Sequence, residues 1–194
     1  MKRSLDLKVA SSAKWVEAVM SDFSSFLQDH ASCEKKASAM AISLVSKYPD
    51  RPKIIQPLIE TAIEELEHFR DVVLWMEKLG VSLAHDMQPD PYVNQLIALV
   101  RKGRDEGLID RLCLGSIIEC RGAERFRLVE EALEEPEIKR FYKVLWASEA
   151  KHGNIFVELA LEYFEDDIVY RRLQELIDAE GDILNKLEFR AALH

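Results

Sequence analysis

Several things are scarce in this sequence, and each scarcity excludes a class of protein. No apolar run is long enough to span a membrane, and Met1-Lys2-Arg3-Ser4-Leu5-Asp6 leads into no signal-like stretch. Glycine (7 residues) and proline (6) are few, and no Gly-rich phosphate loop occurs, so a nucleotide-binding fingerprint is absent. Cysteine appears three times, at 33, 113 and 120, an odd number with no C-x-x-C pair. That excludes a disulfide framework, an iron–sulfur cluster and a rubredoxin-type site, and it suits a reducing, cytoplasmic setting with all three thiols buried. Lys and Arg (26) are outnumbered by Asp and Glu (35), giving a net charge of −9. Such a chain as a whole repels nucleic acid.

What is abundant is helix-forming residues. Ala, Leu, Glu, Lys and Arg dominate, 48% of residues are hydrophobic, and no segment alternates with period two. The 194 residues suit one domain, 1–194. Residues 1–12 read as a lead-in, followed by a short helix over 13–20 that Ser12 could cap. A long helix capped by Asp22 runs to Lys47 and stops at Tyr48-Pro49-Asp50-Arg51-Pro52. A second spans 53–79 and ends at Gly80, with Pro57 either delaying its start or bending it. Residues 81–91 form a connection, with a short helix at 92–102 broken by Gly103. A third long helix covers 105–134, and a fourth runs from Pro136 to about Phe164. A last helix, capped by Asp166 or Asp167, reaches about 190. The expected fold is all-α, a ferritin-like four-helix bundle with a long crossover and extra short and C-terminal helices.

Two of these helices carry the same motif. Glu65-Leu66-Glu67-His68 and Glu149-Ala150-Lys151-His152 are both Glu-x-x-His, which sets carboxylate and imidazole on one helix face. One copy is common in any acidic helix. Here both glutamates fall inside apolar stripes: Leu58, Ala62, Glu65, Phe69, Val72, Met76 on one helix, and Phe141, Leu145, Glu149, His152, Phe156, Leu159, Tyr163 on the other. A buried carboxylate needs a partner, either a metal ion or a salt bridge.

A dimetal carboxylate site also takes one glutamate from each remaining helix. On the first long helix the choice is nearly forced, because Glu34 is the only acidic residue between Asp29 and Asp50. On the third, Glu119 fits the stripe Leu112, Gly115, Glu119, Ala123, Phe126, Val129, Leu133. Glu124 lies about 140° further round the helix and reads as a surface or outer residue beside Arg121 and Arg125. An internal repeat agrees: Glu34 to Glu65 is 31 residues, Glu119 to Glu149 is 30, and Pro52 to Glu65 and Pro136 to Glu149 are each 13. The expected ligands are therefore Glu34, Glu65, His68, Glu119, Glu149 and His152. Four carboxylates and two imidazoles suit iron or manganese, and the lack of sulfur disfavours structural zinc. The small residues Ala31, Ser38, Gly115, Ser116, Gly122 and Ala123 nearby leave room either for dioxygen and a substrate or for close helix packing.

With these ligands placed, the chain resembles the tRNA 2-methylthio-N6-isopentenyladenosine hydroxylases, a ferritin-like diiron family. The likeness rests on HASCEKKAS around Glu34, EELEHF around Glu65 and His68, IIECRGAERF around Glu119 and SEAKHG around Glu149 and His152, and it covers about Trp15 to Phe189. It implies an oxygen-dependent monooxygenase that hydroxylates the isopentenyl group of a modified adenosine beside the tRNA anticodon. It further implies the six residues above as ligands of two iron ions, dioxygen as co-substrate, and an external electron donor, since the chain has no flavin or nicotinamide fingerprint.

A tRNA enzyme needs cations at its surface. The candidates are Lys35 and Lys36; Arg101, Lys102 and Arg104; Arg121, Arg125 and Arg127; Lys139, Arg140 and Lys143; and Arg171 and Arg172. Each reads more readily as a solvated helix face than as an RNA contact. Trp75 and Trp146 read as core rather than base-stacking platforms. The competing readings are a ferritin-like ferroxidase or iron-handling protein, a manganese catalase-like oxidoreductase, and a helical interaction module whose Glu-x-x-His pairs are surface charges.

Overall fold

Asp22 starts the first long helix through its side chain, which accepts the Ser25 N–H at 3.1 Å in place of a missing intrahelical carbonyl. Similar local reasons set most of the helix ends in the computed structural model, which describes residues 6–86 and 89–194. The helices are α1 (Ala13–Ser21), α2 (Phe23–Lys47), α3 (Pro52–Leu79), α4 (Pro91–Ile97), α5 (Arg104–Ala132), α6 (Pro136–Leu161) and α7 (Asp166–Leu184). No strand occurs among the described residues. Parts of two expected segments, 1–5 of the lead-in and 87–88 of the connection, lie outside the described residues.

Pro52 and Pro136 occupy the first turns of α3 and α6, where the lost N–H has no helical partner to miss. Pro57 neither delays nor ends α3; it sits inside a helix that is already running. Gly80 closes α3 with φ +70°, a left-handed conformation that glycine adopts without a Cβ penalty. Glu135 caps α6 by accepting the Glu137 and Ile138 N–H groups at 3.1 and 2.8 Å.

Three ends differ from expectation. α4 stops at Ile97 rather than 102. The segment after it is held by side chains of other helices: Asp110 accepts the Arg101 N–H at 2.9 Å, and Arg172 donates to the Leu99 carbonyl at 3.1 Å. α7 stops at Leu184 rather than 190, with Asn185 at its cap. Its N-cap is Glu165, while Asp166 and Asp167 lie in the first turn, where the positive end of the helix dipole favours them.

The described chain forms two compact units. One comprises 14–86 with Arg190–Leu193. In it α2 and α3 pack as a helical hairpin, and Ser38 donates to the Ala62 carbonyl at 2.8 Å. Its core holds Trp15, Phe26, Leu27, Leu44, Ile54, Leu58, Val72 and Met76, all at most 2% exposed. The C-terminal segment is tied in by Trp15 Nε1 to the Ala192 carbonyl (3.0 Å) and by the Leu193 N–H to Asp29 (2.7 Å). The other unit comprises 6–13, Pro89–Phe189 and His194. There α5 and α6 form the second hairpin, and α7 packs on α4, α5 and α6.

Candidate metal centre

Each unit brings two buried glutamates and one histidine together. In the α2–α3 unit these are Glu34, Glu65 and His68. Glu34 is 3% exposed and Glu65 1%, while His68 is half-buried. The imidazole Nδ1 of His68 lies 3.6 Å from Oε2 of Glu65 and 3.8 Å from Oε2 of Glu34. Both carboxylates therefore converge on one nitrogen, and one ligand atom from each residue lies within 4.8 Å of the others.

The α5–α6 unit repeats the set with Glu119, Glu149 and His152, all buried. Here too the nitrogen facing the carboxylate is Nδ1, 3.5 Å from Oε2 of Glu149. One ligand atom each from Glu119, Glu149 and His152 again lies within 4.8 Å of the others. The i, i+3 spacing on α3 and α6 produces this match, because each histidine lies one turn beyond its glutamate on the same stripe.

Two buried carboxylates beside one imidazole are electrostatically costly, since a single imidazole proton cannot offset both charges. A dication does so, and oxygen and imidazole donors are what iron and manganese accept. The donor set in each unit thus fits a metal ion.

Glu124 belongs elsewhere, as its angular offset predicts. Its carboxylate accepts the Ser11 N–H at 2.7 Å and Arg121 Nη1 at 2.8 Å, and Arg125 Nε donates to the same Ser11 hydroxyl at 3.1 Å. Among the small residues, Gly115 serves packing: a Cβ there would fall 3.0 Å from Cδ1 of Phe156. Gly153, beside His152, is tighter still, since a Cβ would reach 2.5 Å from the Cys120 sulfur.

Several of the basic residues considered for RNA contact are engaged inside the fold. Arg121 is fully buried and donates to both oxygens of Glu180, at 2.9 and 3.1 Å. Arg125 is buried too, and burial pulls its guanidinium down to about 10. Arg101 and Arg172 both pair with the buried carboxylate of Asp110, at 2.8 and 2.7 Å. Lys35, Lys36, Lys102, Arg104, Arg127, Arg140, Lys143 and Arg171 remain exposed, although Arg171 lies 3.2 Å from Asp167. Trp75 and Trp146 are half-buried rather than core; Lys78 sits 4.1 Å over the Trp75 ring, and Trp146 donates to Glu130 at 3.2 Å. Of the thiols, Cys113 is buried and Cys33 and Cys120 are half-buried, and none of the three is in a disulfide. No helix among the described residues is long and apolar enough to cross a membrane.

One residue escaped the sequence reading except as a buried position. His30 lies one turn before Glu34, and its Nε2 is 2.6 Å from Oε1 of that carboxylate, with both side chains buried. The signal was the His-x-x-x-Glu spacing on the apolar stripe of α2.

The chain is 33% identical over 180 residues to the tRNA 2-(methylsulfanyl)-N(6)-isopentenyladenosine(37) hydroxylase of Pseudomonas putida, covering 93% of this chain and 87% of that protein. It is 29% identical over 132 residues to the protein of the same description from Salmonella typhimurium, covering 68% of this chain and 48%, about half, of that relative. Among solved structures it is similar to protein 43 with aldehyde deformylating oxygenase activity from Synechococcus, with a TM-score of 0.91, 30% identity, and coverage of 100% of this chain and 96% of that one. That likeness puts the fold in the ferritin-like diiron class expected from the sequence. The family model described as tRNA-(MS[2]IO[6]A)-hydroxylase (MiaE) matches residues 2–194, and the chain belongs to that family.

Proposed function

We propose that this protein is an oxygen-dependent diiron monooxygenase that hydroxylates the isopentenyl group of 2-methylthio-N6-isopentenyladenosine in tRNA. The observation that carries the reading is the duplicated buried triad, Glu34/Glu65/His68 and Glu119/Glu149/His152, in a chain that matches the hydroxylase family over residues 2–194. The reading takes 1–194 as one ferritin-like domain in which the six side chains serve one dimetal centre. It places the protein in the cytoplasm, where its tRNA substrate and its thiols are both at home.

In this reading each residue has a definite task. Glu34, Glu65, Glu119 and Glu149 supply the negative charge that holds two ferrous ions, and His68 and His152 supply neutral nitrogen through Nδ1. Two irons, when bound, supply the exchange of electrons with dioxygen that no protein side chain can. The apolar residues Leu145 and Phe156 flank Glu149 and His152 on one buried stripe, which keeps water from them. The overall change inserts one oxygen atom into a C–H bond and releases the other as water. It consumes two electrons and two protons, so a separate electron-donor protein is part of the proposal.

The direct test supplies reduced, iron-loaded protein with isopentenylated tRNA and oxygen and analyses the nucleosides. One added oxygen atom on the modified adenosine is the expected result. No product from protein that holds two irons counts against the reading. The similarity to protein 43 from Synechococcus favours one competitor, so an aldehyde belongs in a parallel reaction. Native sizing covers the iron-storage alternative, which requires a many-subunit shell.

A further inference from the structure

The repeat that matches Glu34 with Glu119 breaks one helical turn earlier. Four residues before Glu34 stands His30, whereas four before Glu119 stands Gly115. On α2 the His30 imidazole is fully buried, with the Phe26 ring 5.9 Å away. The 2.6 Å from its Nε2 to Oε1 of Glu34 is the length of a charge-assisted hydrogen bond, and with Glu34 ionised as a metal ligand the imidazole is the partner that donates. The other oxygen of Glu34, Oε2, is the one on the His68 side, 3.8 Å from Nδ1. The two oxygens of this carboxylate thus have different neighbours, a donor on one and the companion ligand on the other. On α5 the equivalent place is glycine, against which the Phe156 ring packs so closely that a Cβ would sit 3.0 Å from it.

We propose that His30 is a positioning residue that commits Glu34 to hold metal through Oε2, making the metal position of the α2–α3 unit inequivalent to that of the α5–α6 unit. The inference rests on the dimetal reading above. With Oε1 tied to His30, Glu34 cannot swing away without breaking a buried hydrogen bond, and only one lone pair of that oxygen is left for a metal. Glu119 has no histidine in the matching position to hold it in the same way.

The test is anaerobic calorimetric titration of the full chain with Fe2+, together with 57Fe Mössbauer spectra, for wild type, His30→Met and His30→Gln. Wild type is expected to bind two ions with distinguishable doublets. His30→Met removes the donor at similar volume and is expected to weaken one of the two ions by about 10- to 100-fold, the usual effect of losing a hydrogen bond to a ligand. His30→Gln, whose amide still donates, is expected to recover most of the loss. Two ions bound at wild-type affinity with unchanged doublets in His30→Met overturns the proposal. So does a His30→Gln variant as impaired as His30→Met, because the shape of the imidazole, not its proton, would then matter.

Should His30→Met fail to fold, wild-type protein decides the point. With Zn2+ bound and histidines labelled with 15N, His30 keeps a slowly exchanging Nε2 proton if the proposal holds and loses it if Glu34 turns both oxygens to the metal. Wild type that binds no iron overturns the dimetal reading itself, an outcome distinct from any of these.

Discussion

Arg121 on α5 donates through Nε to Oε1 of Glu180 on α7 at 2.9 Å, and neither side chain is exposed at all. Burial alone opposes the arginine's charge, but the hydrogen bond to Glu180 and the nearby carboxylates outweigh it and raise its affinity for the proton. Tyr92 on α4 donates to the same Glu180 oxygen at 3.0 Å, so one carboxylate joins three helices. Removing it strands a buried cation. Glu180→Ala is expected to cost about 3–5 kcal/mol in urea unfolding, while iron bound per folded chain stays unchanged.

The two glutamates competing for a place on α5 give a clean contrast. Glu119→Ala is expected to lower iron well below two per chain and to abolish hydroxylation. Glu124→Ala leaves iron content intact and instead loses stability by about 1–3 kcal/mol, through the contacts with Ser11 and Arg121. Metal analysis beside thermal melts reads both. Retained iron in Glu119→Ala would reverse the assignment.

Glu65→Ala separates the metal centre from a mere ion-pair cluster. The metal-free variant is expected to be as stable as wild type or more so, because it removes one of two buried like charges beside His68. Ferrous iron at about 100 times its dissociation constant is expected to add about 2.7 kcal/mol to wild type and much less to the variant. Melting curves with and without iron, under nitrogen, decide the matter. No iron effect in wild type would favour the helical interaction module, and an unaltered effect in Glu65→Ala would remove Glu65 from the ligand set.

The thiols predict a pH dependence. Burial pushes the Cys113 thiol up to about 12 and the Cys120 thiol up to about 11, from an ordinary value of 9.0. Both are neutral in the folded protein where the unfolded chain already ionises. Their contribution to stability is therefore fully present below about pH 9 and falls as pH rises from there through 11 and 12. Cys113→Ala is expected to flatten the alkaline side of the stability profile, as read by denaturant titration between pH 8 and 10.5. At pH 8, alkylation followed by mass analysis is expected to modify Cys33 before Cys113 or Cys120.

Asp110 gives the acid counterpart. Burial would raise its carboxyl, but hydrogen bonds from Arg101 and Arg172 more than offset this and hold it below the ordinary 3.8. The stability it contributes is present above that value and lost as pH falls through the folded one. Asp110→Asn is expected to lower stability at pH 7 by more than at pH 3, measured by urea unfolding at both.

Apolar periodicity carried much of what could be read from sequence. The stripe Leu112–Gly115–Glu119–Ala123–Phe126–Val129–Leu133 is buried throughout, as are Leu58, Ala62, Glu65, Val72 and Met76, and the burial of the glutamates follows from their neighbours. Caps were legible where the chemistry is local, as at Asp22 and Gly80. Long-range polar pairing was not. Arg121 and Glu180 are 59 residues apart, and Arg172 and Asp110 are 62 apart. Nothing in a helical repeat marks an arginine as inward-facing, so four of the cations considered for RNA contact are in fact engaged within the fold. The Arg172–Asp110 pair also holds the segment that follows α4, Asp110 through the Arg101 N–H and Arg172 through the Leu99 carbonyl. His30 was visible as buried, but its role required a distance.

The fate of those arginines bears on how the enzyme meets its substrate. Each phosphate that a protein neutralises releases counterions and steepens the fall of affinity with salt. With Arg121, Arg125 and Arg172 engaged at Glu180, Ser11 and Asp110, the grip on a backbone falls to exposed cations such as Lys35, Lys36, Lys102, Arg104, Arg127, Arg140 and Lys143. Contacts of such cations with phosphate weaken as salt rises and carry no sequence information. Selectivity then falls to the modified base, whose uncharged apolar tail escapes the repulsion that an acidic protein exerts on phosphate.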